Sequence, residues 1–354
     1  MKQTMITSQN RPANLASTSR CRLFTSFTAV LTAAIVMGFF AQEPQALSQT
    51  AEANLKPGDI IYTDSGNGIQ GAAILAADSQ TGKKTLISHA GYLGSFGYPN
   101  GVAIDQNGQL IVANEGCLLR IDPNTGEQTL IRDASGAPGS FWNVALDHNG
   151  DILVAAEKAV LRVDPLTRRT QVVSSGGLFA VVLSVAVGDK DGDLFVTNAR
   201  YDVAVAGWVG EIIRVNPHNG RQTIISQAGY LTFLLGIAVS GNDIYVTGLK
   251  THDQNFGVGQ VTHVEVRTGV QRVVSQGENL IRPVGIAVDE NGQLIVADPY
   301  TINPQSPYLS SGGYDGAIIR IDPATGGQSL IARGQGSFVN PGGVAVVSGS
   351  QPTR

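Results

Sequence analysis

Four apolar runs in the chain end on a side-chain oxygen. Asp64 closes IIYTD, Asn114 closes LIVAN, Asn198 closes LFVTN and Asp298 closes LIVAD. Carboxylate and amide oxygens suit Ca2+, which gathers six to eight of them. An Asx residue at the end of a run also accepts main-chain N–H bonds from the loop beyond it, so these residues serve either as metal ligands or as loop caps. The matching runs ILVAA and IYVTG end in Ala156 and Gly248. Long segments follow three of the runs, from Asn198, Gly248 and Asp298. They carry Tyr201, Trp208, His252, Phe256, Tyr300, Tyr308 and Tyr314, with Asp202, Asp253 and Asp315 among them. Such rings either stack on an apolar or sugar-like ligand while polar groups orient it, or anchor long loops over the body of the protein.

Other chemistries lack their signatures. His89, His148, His218, His252 and His263 form neither an H-x-x-x-H nor an H-E-x-x-H spacing, and the sequence has no G-x-S-x-G elbow. Cys117 opens an apolar run and reads as a packed thiol. Nothing in these motifs marks an enzyme.

The elements that must position these residues are written as repeats. LRIDPNTGEQTLI from Leu119 returns as LRVDPLTRRTQVV from Leu161, IRVNPHNGRQTII from Ile213 and IRIDPATGGQSLI from Ile319, with fainter copies from Leu75 and His263. Each reads as an alternating strand, a turn and a second strand, the turn of the first copy being built on Asp122, Pro123 and Gly126. A second phrase, GVAID at Gly101, has six copies centred on Ala103, Ala145, Ala186, Ala238, Ala287 and Ala345, where small residues suit strands crowded about a common axis. Most copies lead through Asn-Gly or Asp-Gly, the preferred two-residue hairpin turns, into a further strand. Four strands per unit, six units and a mean spacing of about 49 residues from Asp78 to Asp322 predict an all-β, six-bladed β-propeller with four antiparallel strands per blade. The first unit begins at Asp59 without an innermost strand and the chain ends with a spare one, GGVAVV, so the C-terminal strand is expected to complete the first blade and close the ring. The turns between second and third strands share a face with the turns between blades. Length variation on that face marks it as the binding face.

The phrase RPVGIAVDENGQLIVADP, Arg282 to Pro299, resembles the NHL-repeat propellers and the related gluconolactonase-like (SMP-30-type) propellers, and the pattern extends over most of residues 58–347. The resemblance implies a fold that hosts binding modules and hydrolases alike. In the gluconolactonase type, Ca2+ ligands lie where the innermost strands begin. The corresponding places here are Asn100, Trp142, Leu183, Leu235, Val284 and Gly342, of which Asn100 alone matches, and the opening KPGDIIYTD has no Glu.

Ahead of the repeats, Lys2, Arg11, Arg20 and Arg22 precede the apolar run Phe27–Ala41 and the small-x-small triplet Ala46-Leu47-Ser48, the order of a secretory signal peptide. The run is shorter than the roughly 20 residues that span a bilayer. Expected boundaries are a leader and cleavage region at 1–48, a linker at 49–57, the propeller at 58–347 and a disordered tail at 348–354. Without the leader's four basic residues and Glu43, the chain keeps 20 basic and 27 acidic residues, a net charge of −7, and Cys117 as its one thiol. That balance excludes a basic nucleic-acid face, and the single thiol excludes an internal disulfide. The sequence thus predicts a secreted or periplasmic, non-catalytic module that binds a protein or small ligand on the long-loop face, with no membrane span after cleavage. Its alternative is a Ca2+-dependent lactonase- or esterase-type hydrolase, with Asn100 and one of Asp64, Asn114, Asn198 or Asp298 on the ion.

Overall fold

Runs of five or six β-branched and small residues between Asx, Gly and Pro turns favour short pleated strands. The computed structural model describes residues 53–66, 71–189, 192–250, 258–300, 315–334 and 340–349, and its strands form six four-stranded antiparallel sheets. The first blade holds β1 (Ile60–Asp64), β2 (Ala73–Ala77) and β3 (Lys84–His89). The second holds β4 (Pro99–Ile104), β5 (Leu110–Asn114), β6 (Cys117–Ile121) and β7 (Gln128–Asp133). The third holds β8 (Phe141–Leu146), β9 (Ile152–Ala156), β10 (Ala159–Val163) and β11 (Thr170–Ser175). In the fourth are β12 (Val182–Val187), β13 (Leu194–Asp202), β14 (Gly207–Val215) and β15 (Gln222–Gln227). In the fifth are β16 (Phe233–Ser240), β17 (Asp243–Leu249), β18 (Gly259–Glu265) and β19 (Gln271–Gln276). The sixth comprises β20 (Gly285–Val288), β21 (Leu294–Asp298), β22 (Ala317–Ile321) and β23 (Gln328–Arg333).

The last strand, β24 (Pro341–Val346), pairs with β1 through Ile60–Val346, Ile61–Ala345 and Tyr62–Val344, and so completes the first blade as expected. The six innermost strands pack on one another in cyclic order, with β24 against β4, and the ring is closed. Crowding at the axis falls two residues before the repeated Ala. A side chain at Gly343 would collide with the backbone of Asn100 and Gly101, and one at Gly101 with the backbone of Asn143.

The core lies between blades, as six layers. One layer packs Ile60, Tyr62 and Leu75 of the first blade against Ile295 and Ile318 of the sixth. Strands β1, β5, β9 and β21 are buried along their whole length. Each such Ile, Leu or Val contributes about 1.5–3 kcal/mol by leaving water. Cys117 is buried within this packing, in no disulfide.

The phrase that reads as turn punctuation has a second role. Asp122 Oδ1 accepts from the N–H groups of Asn124 and Thr125, as its turn requires. Two residues past Gly126, Gln128 reaches the preceding blade, where Nε2 donates to Ser88 Oγ and Oε1 accepts from Tyr92 N, while Ser88 Oγ donates to Gly126 O. The same latch joins Gln222 to Ser174, Gln271 to Ser226 and Gln328 to Ser275. At the two seams without this Ser–Gln pair, Arg132 donates to Thr170, and Lys84 donates to the carbonyls of Arg333 and Gly334. Among the described residues no helix is long and apolar enough to cross a membrane, and the apolar run Phe27–Ala41 lies outside those residues.

Candidate functional site

Five of the six innermost strands bulge where they enter the ring. Pairing shifts between Pro99 and Gly101, Phe141 and Asn143, Val182 and Ser184, and Leu234 and Ile237, and again where β24 meets Asp64 of β1. A bulge leaves one residue without a cross-strand partner and re-aims it; here Asn100, Trp142 and Leu183 are freed in this way and line the channel mouth. Threonines in the second strands hold the bulges. Thr63 Oγ1 accepts from Gly343 N and donates to Asn100 O, and Thr247 Oγ1 accepts from Gly236 N and donates to Val284 O.

The mouth is a cavity of about 390 Å3 to which all six blades contribute. Its second, third and fourth blades supply Tyr98, Asn100, Glu115, Trp142, Asn143 and Ser184. The fifth supplies Leu235 and Ile237, the sixth Arg282 and Tyr300, and the first Ser65 and Asn340. Some of this polarity is already engaged. Asn143 Oδ1 accepts from Val185 N at 3.2 Å and Asn100 Nδ2 donates to Phe141 O at 3.5 Å. Two donors are not: Trp142 Nε1 and Ser184 Oγ are buried without a hydrogen-bond partner, and Ser184 is only 2% exposed. Such groups cost roughly 1–3 kcal/mol each unless a ligand or water meets them.

Asp64, Asn114, Asn198 and Asp298 are fully buried, one per blade, and each joins its strand end to neighbouring loops. Asp64 accepts from Gly66 N and Asn340 N, and Asn198 Oδ1 from Ala180 N and Val181 N. Asn114 Nδ2 donates to Tyr92 O, while its Oδ1 has no partner. Asp298 Oδ2 accepts from Ile281 N and Arg282 N and its Oδ1 from Tyr300 N, so it positions Arg282 and Tyr300 at the mouth. Burial raises the carboxyls of Asp64 and Asp298 to about 6 each, against the lowering by these N–H bonds. Among the described residues no three His, Cys, Asp or Glu side chains gather as a metal-holding group.

The aromatic set divides. Tyr300 lines the mouth beneath the Arg282 guanidinium, 5.6 Å from its ring centre. The segment from Asn198, expected as a loop, is largely a paired arm in which β13 and β14 run on to Asp202–Gly207, because strand pairing satisfies main-chain groups that a loop would leave to water. On it Tyr201 meets Trp208 edge-on at 5.9 Å, and Trp208 meets Phe233 of the next blade at 5.8 Å. Arg200 braces the arm through Glu211 and Asp202. His252, Phe256, Tyr308 and Tyr314 lie outside the described residues. Of the residues marked in the sequence, the structure thus brings Asn100 and Tyr300 into one cavity and places Tyr201 and Trp208 in a separate stack. Glu115, Trp142, Ser184 and Arg282 join the cavity without having been marked as binding residues. Their only signal was position, at strand entries and blade connections.

A six-bladed propeller with a walled channel mouth is the class that fold and geometry define. No family model and no curated protein matches the chain. Among solved structures, a chain in the crystal structure of a nidogen/laminin complex is similar with a TM-score of 0.60 at 13% identity, over 84% of this chain and 100% of that one. The likeness is one of fold.

Proposed function

We propose that this protein is an exported, NHL-like propeller that binds a small ligand in the channel mouth on its long-loop face. One observation carries the reading: all six blades contribute to one axial cavity, whose lining sets Trp142, Leu235 and Ile237 beside the polar or charged Asn100, Glu115 and Arg282. Apolar walls with a few convergent polar and charged groups are the make-up of a small-ligand pocket. A thermal-shift screen of small metabolites tests this. Hits should lose about tenfold in affinity on Trp142→Phe or Ser184→Ala; hits indifferent to both substitutions would place the site elsewhere. Export predicts a mature N-terminus near residue 49, and an intact Met1 in cytoplasmic protein by mass spectrometry would refute it.

A second reading, a Ca2+-dependent hydrolase of the gluconolactonase type, draws on Asn100 and Glu115 lying in the same mouth. Of its other ligand candidates, Asp64, Asn198 and Asp298 already give their oxygens to main-chain N–H groups. Melting in Ca2+ against chelator separates the readings, since a rise of several degrees with Ca2+ is expected only of the second.

A further inference from the structure

The mouth holds two opposite charges that do not meet. Glu115 sits in the turn between β5 and β6 of the second blade, Arg282 in the connection that enters the sixth, and the first blade lies between them. Among the described residues, no cation pairs with the Glu115 carboxylate and no acid pairs with the Arg282 guanidinium. Asp298 lies behind Arg282 and attracts it, but its oxygens are taken by three main-chain N–H groups. Both charged side chains are held in place. Glu115 packs onto Gly97, where a Cβ would collide with it, and Arg282 lies over the Tyr300 ring.

We propose that the ligand is a short peptide with free ends, its amine at Glu115 and its carboxylate at Arg282; this rests on the reading of the mouth as the binding site. A purely anionic ligand would face Glu115 and a purely cationic one Arg282, and a neutral sugar would offer both charges hydroxyl hydrogen bonds but no opposite charge. A free α-amino acid, whose charges are separated by only about two bond lengths of ~1.5 Å, would leave most of a cavity of this volume unfilled. Each further residue lengthens the ligand by up to ~3.3–3.6 Å, so a short peptide fills the mouth while keeping a charge at each end. The cavity of about 390 Å3 is near the lower end of ligand pockets, roughly 300–1,000 Å3, and sets the upper length.

Isothermal titration of the exported protein with trialanine, N-acetyl-trialanine, trialanine amide and maltose tests the assignment. Trialanine should bind, and blocking either end should weaken it at least tenfold. Glu115→Gln should abolish the penalty for acetylation and keep that for amidation, and Arg282→Gln should do the reverse. Equal affinity for free and capped peptides, or no binding of trialanine at millimolar concentration, overturns the proposal without recourse to any variant. Maltose binding that Trp142→Phe weakens, with trialanine inert, would overturn the peptide while keeping the mouth as the site. If instead any ligand found binds regardless of Trp142→Phe and Ser184→Ala, the site itself falls, and the peptide assignment with it.

Discussion

At the scale of single residues, the buried carboxyls at strand ends set a pH dependence. Loss of hydration on burial is the main cause that raises Asp64 and Asp298 to about 6, above the unfolded value. The folded protein therefore keeps protons that the unfolded chain has released, and stability falls as pH rises from about 4 through 6. A carboxyl raised this far above its ordinary range costs the fold roughly 3 kcal/mol once it ionises. Exposed turn residues such as Asp164 and Asp322 are lowered by N–H bonds from their own turns, and what they contribute is lost only below the ordinary carboxylate range. The protein should melt several degrees higher at pH 5 than at pH 7.5 by circular dichroism, and Asp298→Asn should shrink that difference by about half. A melting temperature that is flat or rises between pH 5 and 7.5 would show that these carboxyls ionise without cost.

Between elements, the seams decide stability. Gly326 and Gly292 share a φ of +75°, so alanine strains the backbone alike at both. Their surroundings differ: a Cβ at Gly326 would run into the Val274 carbonyl of the preceding blade, whereas one at Gly292 meets open space. Gly292→Ala should cost about 1–2 kcal/mol, the penalty of the left-handed backbone alone. Gly326→Ala should cost at least ~2 kcal/mol more, because the latch from Gln328 to Ser275 must part as well. Urea unfolding of the two variants compares them directly, and equal costs would mean that the turn touches its neighbour without holding it. The latch could be glimpsed in the sequence, since Gln128, Gln222, Gln271 and Gln328 recur at one place in the phrase and Ser88, Ser174, Ser226 and Ser275 at another. That each Gln bonds to the Ser of the blade before it depends on how the blades are stacked.

For the whole molecule, closure is the largest commitment. Strand β24 pairs with β1, Gly343 N donates to Thr63 Oγ1, and Val347 and Asp59 complete the joint through main-chain bonds. Deleting residues 340–354 would leave β1 as an open inner edge, uncover Tyr62 and Ile60, and remove Asn340 and Pro341 from the mouth. The truncated protein should aggregate or melt at least 10 °C lower by calorimetry. A soluble product that melts with the full chain would show that the ring does not depend on its last strand. Likeness to a solved propeller at 13% identity fits this view, because the fold rests on a pattern of strand, turn and small residue that many sequences satisfy.

The sequence by itself determined the strands, their grouping in fours, the six blades and the closing strand. Those features follow from local rules, two-residue alternation and turn chemistry, written six times over. Only the tertiary structure decided which residues share the mouth. Asn100, Glu115, Trp142, Ser184 and Arg282 are spread over more than 180 positions of chain and meet because the ring brings together bulged strand entries at Asn100 and Trp142 with the turn of Glu115 and the blade connection of Arg282. It also gave Asp64, Asn198 and Asp298 main-chain N–H partners. A bulge is one residue of register between two strands, and no local pattern in either strand specifies what the other side of a ring will present to it.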